Sequence, residues 1–209
     1  MKTKELLAWA FLTFVIVVLY SIFPAKNIFQ NISTAVGFLV IMPLLYCVFT
    51  AKRPISDLGI TKGYWRAGML WSFVCLVFAL LFFYVALMYT DFGYNYASSA
   101  PIIKDFWKFI TYELFLVLPF IIIYEFFFRG FSMLFLGKRW GHGVIIFQSI
   151  LFFIFLLIAG SVNWIFLPYI VFSFFSGLIA YRSRSIYYSI VSHLIFMIIV
   201  DASIIKLLQ

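Results

Sequence analysis

Tyr124-Glu125-Phe126-Phe127-Phe128-Arg129-Gly130 closes a long apolar run with a carboxylate and a guanidinium four residues apart. On a helix, side chains at i and i+4 share a face, and an acid N-terminal to a base is the favourable order. In hydrocarbon an ionisable side chain costs several kcal/mol and marks a candidate functional site. Two readings are open for Glu125 and Arg129: a structural ion pair that orients its helix, or a carboxylate held at an active or binding site.

The rest of the chain supplies the hydrocarbon. Of 209 residues, 66% are hydrophobic and 11% charged, and mean hydropathy is +1.14. A soluble protein is roughly half apolar and a quarter charged. Runs of about 18 or more apolar residues recur, each long enough to cross a bilayer. Seven spans are predicted: Leu6–Phe23, Ile32–Ala51, Ala67–Thr90, Phe106–Phe128, Gly143–Ala159, Trp164–Tyr181 and Ile186–Leu207. The fold class is therefore all-α, a polytopic membrane protein with about seven transmembrane helices. It is read as one integral membrane domain over 1–209, with two N-terminal helices in 1–56. The first apolar run exceeds a signal-peptide core and no small-x-small cleavage site follows it, so that helix is expected to be retained.

The formal net charge of +8 does not point to nucleic acid, because no binding motif for it is present. The basic residues instead sort by side. With the N-terminus inside, eleven fall on the inner side, among them Lys52, Arg53, Lys62, Arg66, Arg182 and Arg184, against four outside. That bias predicts a multi-pass cell-membrane protein with its N-terminus cytoplasmic and its C-terminus outside. The segment from Lys52 to Arg66 is expected at the inner interface against lipid headgroups. Arg129 to Gly141 is expected to form a second interfacial element, and Asp91 to Pro101 an outer loop. Cys47 and Cys75 lie inside apolar runs without metal-ligand spacing, so no metal and no cofactor is expected.

Besides Glu125, the spans hold Glu113, His193 and Asp201. Glu113 lies twelve residues, or ~18 Å, before Glu125 on a helix and cannot share a site with it. It is expected to pair with Lys108 or with another helix. His193, Met197 and Asp201 recur every four residues along one stripe of the last span. A lone intramembrane histidine commonly hydrogen-bonds between helices.

Taken together these residues resemble the CPBP family, the Abi or type II CAAX prenyl endopeptidases, which are glutamate-dependent intramembrane proteases. Glu125 to Gly130 resembles the second half of the family's E-E-x-x-x-R-G motif. Asp57-Leu58-Gly59-Ile60, Ser149 to Phe153, and Gly177 to Ser185 followed by Ser192-His193 resemble its flanking segments in the same order, covering about residues 57–200. The resemblance implies a CPBP-type fold with Glu125, Arg129 and His193 at retained motif positions. Three positions depart from the pattern. The first glutamate is replaced by Tyr124. The histidine of F-x-x-x-H falls on Leu156, counted from Phe152, or on Leu157, counted from Phe153. The Asn or Asp of H-x-x-x-N/D falls on Met197.

A tyrosine with a pKa near 10 is a poor general base at neutral pH, and leucine neither binds a metal nor stabilises an oxyanion. Loss of one catalytic member can remove most of a rate enhancement. The expected function is a catalytically inactive pseudoprotease, acting as scaffold, regulator or accessory subunit for a membrane or cell-envelope protein. Two other readings stay open: an active endopeptidase with altered catalytic residues, and a transporter or channel subunit using the intramembrane acids.

Overall fold

A computed structural model describes residues 3–99, 101, 103, 105–136, 141–159 and 163–207. Among them the helices are α1 (Thr3–Ile22), α2 (Ile28–Thr50), α3 (Trp65–Tyr89), α4 (Phe92–Ser99), α5 (Phe106–Leu134), α6 (Gly143–Ile158), α7 (Leu167–Ser183) and α8 (Tyr187–Leu207). A 3-10 turn at Trp164–Phe166 leads into α7. The described residues contain no strand. Among the described residues six helical stretches are long and apolar enough to cross a membrane. The fifth predicted span, α6, has 16 residues; at about 24 Å it falls short of a ~30 Å hydrocarbon core. Its buried stripe (Ile145, Gln148, Phe152, Leu156) faces the bundle, while Ile146, Ile150, Phe153 and Leu157 face outward.

The chain crosses back and forth between two ends. The basic end carries the 51–64 connection and the α7–α8 turn. There the Tyr64 N–H donates to the Ser183 carbonyl (2.7 Å) and the Ile186 N–H to the Gly59 carbonyl (3.0 Å). Gly63 makes this docking possible. Its φ is +51°, and a Cβ would lie 2.1 Å from the Ser183 carbonyl oxygen. The 52–66 segment is thus tied into the bundle, and Leu58 is fully buried. The far end carries α4, which packs Phe92 against Trp164, with ring centroids 6.4 Å apart.

Helix α5 is the central element. In its span 61% of the residues are buried within the bundle, against 39% or less in the other five. Both α2 and α5 contain a proline, Pro43 and Pro119, and each follows a π-helical stretch, Val36–Ile41 and Glu113–Val117. Proline removes a backbone donor and crowds the carbonyl four residues back; the wider turn ahead of it accommodates the break.

Three expectations are corrected. The fourth span does not end at Phe128: α5 runs on to Leu134, and every residue from Glu125 to Leu134 is buried. Arg129 is therefore inside the bundle and does not begin an interfacial element; Lys138, Arg139 and Trp140 lie outside the described residues. The segment 91–101 is not an open loop, because Phe92–Ser99 is helical with Phe92 and Tyr96 buried.

Candidate functional site

The continuation of α5 follows from how Arg129 is held. Its Nε lies 3.5 Å from Glu125 Oε2, and its Nη2 donates to the Ser173 carbonyl of α7 at 3.1 Å. Gln148 of α6 donates to the same carbonyl at 2.9 Å, as does Ser176 Oγ at 3.2 Å. The guanidinium also lies over the Phe152 ring, 5.7 Å from its centroid. With a counter-charge and an acceptor inside the bundle, the arginine has no need to reach the headgroups. Gly130 follows for a steric reason: a Cβ there would meet the Leu58 carbonyl oxygen at 2.7 Å.

His193 of α8 reaches the same carboxylate from the other side. Its Nδ1 is 2.8 Å from Glu125 Oε1. A carboxylate only accepts, so Nδ1 carries the proton and donates. Ser189, one turn earlier on α8, donates its hydroxyl to the Ile186 carbonyl at 2.9 Å. The imidazole is packed between Phe172 (4.8 Å) and Tyr169 (5.3 Å). Glu125, Arg129 and His193, which the sequence singles out, thus come together in one fully buried group. This group joins α5, α6, α7 and α8.

Beside it, on the far-end side, is a cavity of about 170 Å³. Tyr124 and Met197 line it; Glu125, Arg129 and His193 do not. Tyr124 lies near Tyr20 and packs on Phe128, Phe152 and Phe155 with centroids 5.8–6.4 Å away. Leu156 is buried in the same aromatic cluster, whereas Leu157 is 53% exposed. Of the two positions left open by the motif spacing, Leu156 is the one that faces the interior. The groups at these positions are a phenol, an isobutyl side chain and a thioether, of which the phenol and the thioether line the cavity. None of them is a general base at neutral pH, and the carboxylate retained from the motif, Glu125, is hydrogen-bonded by His193 and ion-paired with Arg129 away from the cavity lining.

A second polar group went unread as a unit in the sequence. Glu113 of α5 lies near Asp201 of α8, so its neighbour is an acid on another helix. Tyr96 of α4 donates to Asp201 Oδ1 at 2.5 Å. Burial, and then the Asp201 charge, push the Tyr96 phenol far above its usual range, which keeps it a donor. The signal was present in the spacing. α5 and α8 run antiparallel, so acids displaced in opposite sequence directions from Glu125 and His193 arrive at the same level. Gln148 was the other missed residue, and an amide in the middle of an apolar run is its signal. Among the described residues no group of three or more His, Cys, Asp or Glu side chains is placed to hold a metal ion.

Residues 106–199 match the family model described as type II CAAX prenyl endopeptidase Rce1-like. The match takes in α5 to α8, with Tyr124, Glu125, Arg129, Leu156, His193 and Met197 inside it; the segment 57–105 lies outside. No curated protein and no solved structure gives a match.

Proposed function

From the premise that residues 106–199 belong to the Rce1-like CPBP family of membrane proteins, we propose that this chain is a non-cleaving member. It binds a membrane or cell-envelope protein as scaffold, regulator or accessory subunit. The supporting observation is the division of labour at the cavity. The retained motif residues Glu125, Arg129 and His193 contact one another inside the bundle and do not line the cavity, whose wall carries Tyr124 and Met197. A buried carboxylate that contacts neighbouring helices and does not line the cavity serves to position those helices. In this reading the N-terminus is cytoplasmic and the C-terminus outside, and the basic end meets anionic lipid headgroups.

The experiment is site-specific photo-crosslinking in native membranes. A benzophenone amino acid replaces Phe120, which lines the cavity, or Phe73, which is exposed on α3. The expected outcome is a discrete adduct from position 120, absent from position 73, whose captured partner has its full length. A captured partner that has been shortened, with shortening lost in a Glu125→Ala background, overturns the proposal.

A further inference from the structure

We propose that the far-end cavity is a binding site for an organic ammonium group, free or carried on a lipid headgroup, with Asp201 as its counter-charge and tyrosine rings as its walls. The inference rests on reading the cavity as a binding site and adds what it recognises. Among the described residues its lining includes Tyr96, Tyr112, Tyr124, Tyr169 and Phe120, one charged side chain, Asp201, and no Lys or Arg. The faces of aromatic rings attract cations, and rings grouped around a carboxylate suit a quaternary or primary ammonium.

A second observation comes from behind that wall. Glu113 is fully buried, and neither of its carboxyl oxygens has a conventional donor among the described residues. It meets Asp201 instead. Two carboxyls close together inside a bundle do not both ionise, and the pair keeps one negative charge. That puts one negative charge on Asp201, hydrogen-bonded by Tyr96, at the edge of an aromatic cavity with no Lys or Arg among its described lining residues. A buried charge of this kind calls for a paired cation. A divalent metal does not fit, because calcium takes six to eight oxygen ligands and magnesium demands an octahedral set. The volume of about 170 Å³ suits a headgroup-sized ion rather than a drug-sized molecule of roughly 300 Å³ or more.

The test uses the full chain in phosphatidylglycerol nanodiscs and titration calorimetry with choline and with its uncharged isostere 3,3-dimethyl-1-butanol. Choline is expected to bind saturably and the isostere at least about tenfold more weakly. Asp201→Asn is expected to weaken choline at least about tenfold. Glu113→Gln retains the Asp201 charge and is expected to retain binding. Repeating the titration in phosphatidylcholine nanodiscs separates the sources: choline binding persists there if the ligand is a free cation and is suppressed if the lipid headgroup occupies the site. Equal binding of choline and the isostere, or no choline binding in phosphatidylglycerol, overturns the inference even if Asp201→Asn does not fold. So does unchanged binding in a folded Asp201→Asn. Failure here with the Phe120 crosslink intact ends this inference alone; a shortened crosslinked partner ends the functional proposal and leaves choline binding unaffected.

Discussion

Replacing Glu125 by Gln isolates the charge at the centre of the bundle. The amide oxygen can still accept from His193 Nδ1, so shape and that hydrogen bond persist. What is lost is the counter-charge 3.5 Å from Arg129 Nε. Arg129 remains charged in every accessible condition, is fully buried, and keeps the Ser173 carbonyl as acceptor. Removing one partner of a buried ion pair costs about 3–5 kcal/mol, because the other charge is left uncompensated. Against a total stability of about 5–15 kcal/mol, this is a large fraction. Arg129→Met alone strands Glu125 and costs a similar amount. The double variant strands neither, so its cost is less than the sum of the singles by a coupling of about 1–3 kcal/mol. Equilibrium unfolding in mixed micelles, followed by tryptophan fluorescence, measures all four corners of the cycle. A Glu125→Gln variant within about 1 kcal/mol of wild type, or a double variant that costs the full sum, refutes the structural role given to this pair.

Three further outcomes are expected. Tyr124→Glu puts a carboxyl into the cluster of Phe128, Phe152 and Phe155; it lowers stability by about 2–5 kcal/mol and yields no peptide cleavage, since Leu156 and Met197 still lack catalytic groups. Gly130→Ala forces a Cβ to within 2.7 Å of the Leu58 carbonyl oxygen and costs about 1–3 kcal/mol by thermal or chemical unfolding; no change would show that Leu58 is not anchored there. Cys47 and Cys75 are both buried, so a membrane-impermeant maleimide on intact cells reports on added cysteines: Ser98→Cys labels and Lys62→Cys labels only after permeabilisation, and the reverse pattern inverts the proposed orientation.

Much of the membrane architecture was legible because transmembrane length and apolar composition are local properties. The spans predicted from the runs end within a few residues of the helices, apart from α2, which begins at Ile28, and α5. The α5 error has a single physical origin. A charge at the end of an apolar run was taken as the membrane boundary, but Arg129 is neutralised within the bundle by Glu125 and the Ser173 carbonyl, which no local pattern reveals. The helix at Phe92–Ser99 was missed for the converse reason. Its Tyr, Ser, Asn and Gly composition favours a loop, and burial of Phe92 and Tyr96 against the bundle overrides that preference. In the site, the grouping of Glu125, Arg129 and His193 was suggested by a motif, whereas the Glu113–Asp201 contact depends on the register between two helices far apart in sequence.

The central claim is that the buried Glu125–Arg129–His193 group holds helices together and performs no hydrolysis. The most direct test is cleavage of a farnesylated CAAX peptide by the purified, reconstituted protein, followed by mass spectrometry. Wild type, Glu125→Ala and His193→Ala are expected to match the protein-free blank. Cleavage by wild type that disappears in either variant would contradict the claim.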